Sequence, residues 1–181
     1  MAKRFKLYNL WISSCSYRVR IALNLKKLDY EYITVDLLDK NSKNFAQNHP
    51  ELNGLKQLPA LFDTTEDLHL TQSLAIIKYI DSINSENKLF PENPVKNAQV
   101  LEIVEIMNSG VQPLQNLPLV RMLAEHVDSK KFAHDVCVKG LSAVERIIQD
   151  TSGNGHFCVG DGVTAADLFL LPQVGNAVQR F

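Results

Sequence analysis

Lys6 to Lys27 reads KLYNLWISSCSYRVRIALNLKK, and two periodicities meet inside it. Lys6-Leu7-Tyr8-Asn9-Leu10 alternates in polarity and predicts a short strand. Ser13, Ser14, Cys15 and Ser16 then offer N-cap candidates for a helix over Tyr17–Lys27, a run without a breaker. Strand, polar turn and helix together open a β-α unit. Tyr30–Val35 is aromatic and β-branched and predicts a second strand. The polar stretch Asp39–Asn53 reads as a loop with a short helix, and Asn53-Gly54 as a turn. Leu58-Pro59 opens a strand at Ala60-Leu61-Phe62, and Thr64–Asp67 closes a hairpin into Leu68-His69-Leu70. Gln72–Ile83 carries Leu74, Ile76, Ile77, Ile80 and Ile83 at helical spacing. The order β-α-β-(α)-β-β-α is buried economically as one sheet covered by helices.

Beyond Ile83 the texture changes. Asn84–Pro94 is polar with two prolines and reads as a linker. Asn93-Pro94 has the pattern of an N-cap followed by proline at the first helical position, for a helix toward Ser109. A second long helix is expected over Ser129–Asp150, with Gly153 as its terminator. Thr164-Ala165-Ala166-Asp167 resembles a capping box, with Val163 and Leu168 at the staple positions. The expected organisation is an α/β domain over 1–83, a linker over 84–94 and an all-helical domain over 95–181.

Composition narrows the function classes. The 181 residues are 45% hydrophobic with a net charge of −1, enough for a core without staples. The lack of a basic excess argues against nucleic acid and against a polybasic membrane surface. No apolar stretch is long enough for a membrane span, and no signal-peptide pattern follows the basic start. Cys15, Cys137 and Cys158 form no CxxC pair, and no HxxxH occurs, so no metal site is expected. Free thiols in a reducing, cytoplasmic setting are the expectation.

Three places could carry chemistry. A thiol or thiolate in Ser13–Arg18, between a strand and a helix N-terminus, meets unpaired N–H groups and nearby hydroxyls, which lower a thiol pKa. Equally, the serines could do no more than cap. Leu58-Pro59 reads as a strand opener, trans on frequency alone. Gln72-Ser73 begins another helix, where a hydroxyl and backbone N–H groups suit a carboxylate, or merely cap. Thiol and anion sites on one α/β unit suggest a thiol peptide as ligand.

Ser13–Leu23 (SSCSYRVRIAL) resembles the signature of zeta-class glutathione transferases, also called maleylacetoacetate isomerases, with Tyr17 in the usual tryptophan position. Gln72–Ile77, Gln112–Leu117, Cys158–Asp161 with Ala166-Asp167, and Leu171–Val174 match in the same order, so the resemblance runs through nearly the whole chain. It implies a thioredoxin-like N-terminal domain, an all-α C-terminal domain and a homodimer. The implied activity is glutathione-dependent isomerisation of maleylacetoacetate in tyrosine catabolism, with transfer to small α-halo acids. Glutathione is the implied cofactor and a small acidic electrophile the implied partner.

The resemblance also implies roles. Ser13, Ser14 and Cys15 would be catalytic. Ser16, Tyr17, Arg18, Asn44, Leu58, Gln72 and Ser73 would join them in holding glutathione, with Gln112, Asn116, Leu117 and Pro118 contributing from the helical domain. A cis bond at Leu58-Pro59 is implied as well. Arg18 would attract the acidic substrate, or else be a bare surface arginine. Cys137 and Cys158 are expected to pack as small hydrophobes. Several positions depart from the family: Asn44 stands for glutamine, Gly54 for proline and Pro118 for serine. The family's late arginine falls on Gln179, with Arg180 about 100° further round a helix. Two other readings stay open. Cys15-Ser16-Tyr17-Arg18 resembles a glutaredoxin site without its second cysteine, a monothiol oxidoreductase, and a non-catalytic scaffold is the other. The family continues past the position of Phe181, so the C-terminal domain is expected to be incomplete. The helix after Thr164 should then expose Leu168, Leu171 and Val174.

Overall fold

The computed structural model describes residues 3–35, 55 and 57–180. Asn44, the Asp39–Asn53 stretch and the Asn53-Gly54 turn lie outside the described residues. The chain divides into two compact units, Met1–Asn87 and Lys88–Phe181.

In the first unit, β1 (Phe5–Asn9), α1 (Ser14–Leu25), β2 (Tyr30–Thr34), β3 (Ala60–Asp63), β4 (Leu68–Thr71) and α2 (Ser73–Ile83) follow in order. The sheet runs β2-β1-β3-β4, with β2 parallel to β1 and the other neighbours antiparallel. β1 lies one residue earlier than its alternation predicts. Phe5 is buried in it, while the Leu10 carbonyl turns to accept the Ser13 N–H at 3.1 Å. α1 begins at Ser14, ahead of the expected Tyr17, because Ser13 serves as its cap.

Leu7, Leu61, Val19, Ala22, Leu23, Ile76, Ile77 and Ile80 form the core where the sheet meets α1 and α2. Two polar links tie these helices. Arg18 Nη1 donates to Ser73 Oγ near their N-terminal ends. Past the end of α1, Lys26 Nζ lies 2.6 Å from Asp81 Oδ1 and also donates to the carbonyls of Asn84 and Glu86. The helices therefore run side by side in the same direction.

Asn84–Pro94 is less free than its composition suggests. Its first residues are held by Lys26, and Leu89 is buried in the second unit with its carbonyl accepting the Ala165 N–H at 2.8 Å. The second unit contains α3 (Pro94–Glu105), a π-helical turn at Ile106–Val111, a 3-10 turn at Pro113–Gln115, α4 (Leu117–Leu123), α5 (Ser129–Thr151) and α6 (Ala165–Arg180). α3 stops short of Ser109, as Ser109-Gly110 is poor helix material and the backbone widens there. α5 has its glycine at position 140 because a Cβ there would collide with the Val111 side chain. α4 gave no periodic signal, since none of its side chains is buried. Among the described residues no helix is long and apolar enough to cross a membrane.

Candidate active site

Ser13 sits outside α1 in an extended conformation, and its Oγ accepts the Ser16 N–H at 3.2 Å. A hydroxyl has one proton and two acceptor sites, so this cap leaves the Ser13 proton available to donate. Ser14 and Ser16 are buried, Cys15 is half-buried and Tyr17 is 42% exposed.

Arg18 corrects the sequence reading. It is fully buried and not a surface arginine, because it shares the inward stripe of α1 with Val19, Ala22 and Leu23. Its Nη1 donates to Ser73 Oγ at 3.3 Å. Burial pulls its pKa below the ordinary arginine value, and the nearby Cys15 side chain acts in the opposite direction.

The second and third sequence sites come together through strand register. Ala60 pairs with Thr71, so Pro59, one residue before β3, falls beside Gln72, one residue after β4. The Leu58-Pro59 bond is cis. Gln72 has φ +70°, a left-handed value unusual for a non-glycine residue, and its Nε2 donates to Gln57 Oε1 at 3.3 Å. Ser73 follows as the first residue of α2 and is 4% exposed. Tyr8 of β1 pairs with Ala60, which sets the end of β1, and hence the loop to Ser13, at the same end of the sheet. Ser13, Leu58, Gln72 and Ser73 thus gather at one end of the sheet.

Two contributors, Arg20 and Asn9, escaped sequence reading. Arg20 donates to Asn9 Oδ1 at 2.9 Å, to the Leu10 carbonyl at 3.2 Å and to the Trp11 carbonyl at 2.9 Å. It also lies over the Tyr17 ring at 5.2 Å. Buried Asn9 donates to the Leu7 and Ile33 carbonyls. These contacts frame the loop leading to Ser13 and leave Trp11 73% exposed. The stripe spacing of Arg18 and Lys26, each four residues from Ala22, was the one readable signal for buried charge.

In the second unit, Gln112, Asn116, Leu117 and Pro118 lie around the 3-10 turn and the start of α4. Asn116 occupies the N-cap position, but its side chain makes no cap bond. The buried side chain of this group is Gln115, which the sequence did not single out. Asp167 reaches back to the Thr164 N–H at 2.8 Å and to its hydroxyl, and it also accepts the Cys158 N–H at 2.9 Å. Cys137 and Cys158 are buried and free, and burial, with Asp167 adding to it, pushes the Cys158 thiol far up. On α6, Leu168 is buried, against expectation, because it faces inward with Phe169. Leu171 and Val174 are exposed as expected.

Residues 3–82 match the family described as glutathione S-transferase, N-terminal domain. Maleylacetoacetate isomerase of Mus musculus is 41% identical over 175 residues, covering 97% of this chain and 78% of that protein. The chain belongs to the zeta-class glutathione transferase family, the maleylacetoacetate isomerases. Another relative of this zeta-class chain is glutathione S-transferase Z1 of Arabidopsis thaliana, 38% identical over 182 residues and covering 99% of this chain and 80% of that one. A crystal structure of maleylacetoacetate isomerase from Anaeromyxobacter dehalogenans with bound GSH superposes with a TM-score of 0.85. It is 36% identical and covers 98% of this chain and 82% of that chain. The thioredoxin-like sheet domain followed by a helical region is the fold of that family.

Proposed function

We propose that this chain is a glutathione-dependent enzyme that isomerises maleylacetoacetate to fumarylacetoacetate. The observation that carries the reading is the pair of serines at the starts of two helices. Ser13 Oγ accepts from Ser16 N–H, and Ser73 Oγ accepts from Arg18, so each keeps a proton to donate at the same end of the sheet. Two donors beside two helix N-termini suit a thiolate and a carboxylate on one small peptide.

When bound, glutathione supplies a thiolate that adds to the cis double bond and departs after rotation about the resulting single bond. Ser13 donates to the sulfur and stabilises its anionic form, with Ser14, Cys15 and the first turn of α1 close by. Ionising a thiol two pKa units more readily requires roughly 2.7 kcal/mol. One hydrogen bond to a charged group supplies about 1.5–3 kcal/mol, and a helix N-terminus about 0.3–1 kcal/mol. Together they span about 1.8–4 kcal/mol, which brackets that requirement. Ser73 and Gln72 hold the γ-glutamyl end, and the Leu58 backbone lines the cysteinyl unit. Tyr17 lines the near wall, with the buried Ser16 and Arg18 behind it. Asn44, Gln112, Asn116, Leu117 and Pro118 are assigned to the same ligand from the family pattern. Homodimer assembly, a small acidic electrophile as partner, a place in tyrosine catabolism and a cytoplasmic location belong to the same proposal, the last supported by three free cysteines.

The test is a spectrophotometric isomerisation assay on maleylacetoacetate with and without glutathione. Conversion that requires both protein and glutathione is expected. Equal rates without glutathione would overturn the proposal.

A further inference from the structure

We propose that Arg18 is a positioning residue that selects the γ-glutamyl end of the ligand by fixing the Ser73 hydroxyl as an acceptor. The inference rests on the glutathione reading above. Arg18 is completely buried, so it acts through Ser73 and not by meeting the ligand from solvent. Its bond to Ser73 Oγ spans 55 residues and joins α1 to the first residue of α2. A guanidinium has donors only, so Ser73 must accept in this bond and its single proton points elsewhere. A freely rotating hydroxyl would spend that proton on several partners. Held from behind by a cation, it is ready for a carboxylate.

Helix pairing does not depend on Arg18 alone. Lys26 and Asp81 tie α1 to α2 at the far end, and Val19, Leu23, Ile76, Ile77 and Ile80 are fully buried. Loss of the Arg18–Ser73 bond should therefore change ligand choice more than it changes the fold.

Calorimetric binding of two thiol peptides separates these effects: glutathione, and cysteinylglycine, which lacks the γ-glutamyl group. Ser73→Ala and Arg18→Gln should each weaken glutathione ~10-fold, as expected for one lost hydrogen bond to a charged group, with cysteinylglycine unchanged. Arg18→Lys, which keeps a cation and a donor, should recover part of the loss. The double variant Arg18→Gln/Ser73→Ala should bind glutathione no more weakly than Ser73→Ala alone. Additive losses, or equal weakening of both peptides, would overturn the inference. Wild-type protein that binds glutathione while both Arg18 variants bind it equally well also overturns it, and leaves the functional reading standing. Wild-type protein that binds no glutathione overturns the functional reading and the inference together.

Discussion

Ser13 Oγ lies 3.2 Å from the Ser16 backbone nitrogen and accepts its hydrogen, so one hydroxyl both caps α1 and keeps its proton to donate. The two roles separate by substitution. Ser13→Ala should lower stability by about 1 kcal/mol through the lost cap. It should also lower kcat/KM for glutathione-dependent turnover by roughly 10- to 100-fold through the lost bond to a charged sulfur. Ser13→Asp keeps a capping oxygen but opposes a thiolate. Denaturant unfolding should find it near wild type, and initial rates should find it no better than alanine.

Trp11 is the one tryptophan of the sequence and is 73% exposed in the loop before Ser13. Glutathione binding should therefore change its fluorescence. Arg20→Met removes the donor to Asn9 Oδ1 and to the Leu10 and Trp11 carbonyls. Hydrogen exchange over residues 10–13 should quicken in that variant, and stability should fall by about 1–3 kcal/mol.

Gln72 holds φ +70° immediately before α2. A non-glycine residue in a sparsely populated conformation costs on the order of 1–3 kcal/mol. Gln72→Gly relieves that cost and adds roughly 0.5–1 kcal/mol of unfolded-chain entropy. Thermal unfolding should thus show little loss or a small gain, while calorimetry shows weaker glutathione binding. A stable variant with unchanged affinity would contradict the role given to Gln72.

How much of this was legible follows from what each residue contributes to a pattern. The β-α-β and β-β-α signals gave the sheet domain because Leu7, Leu61, Ile76, Ile77 and Ile80 recur at strand and helix spacing and are buried. Ser13, Leu58 and Gln72-Ser73 were visible as helix starts and a strand opener. Their meeting at one end of the sheet depends on the Ala60–Thr71 and Tyr8–Ala60 pairings, which no local pattern encodes. Arg18 was misread because charge predicts exposure, yet its position relative to Ala22 put it on the inward stripe. Leu168 was misassigned for the converse reason. An apolar residue on an amphipathic helix faces inward or outward according to a rotation that one residue of phase decides. α4 was missed because seven residues without a buried side chain carry no periodicity.

Acid stability provides a check on the first unit. Burial would raise the Asp63 carboxyl, but hydrogen bonds from Arg4, Tyr79 and the Thr65 N–H outweigh it and hold its pKa at about 2, against an ordinary 3.8. A lowered folded-state pKa adds stability that is complete above the unfolded value and disappears as pH falls through the folded one. The contribution should be about 2 kcal/mol at neutral pH and should vanish between pH ~4 and ~2. Unfolding free energies of Asp63→Asn measured across that window should be lower than wild type near neutrality and converge with it at the acid end.

The central claim is that the sulfur of glutathione, ionised beside Ser13, is the nucleophile. Isomerisation of maleylacetoacetate measured with S-methylglutathione in place of glutathione tests it most directly. The methylated peptide should compete with glutathione for binding and support no turnover. Turnover at a comparable rate with S-methylglutathione would contradict the account.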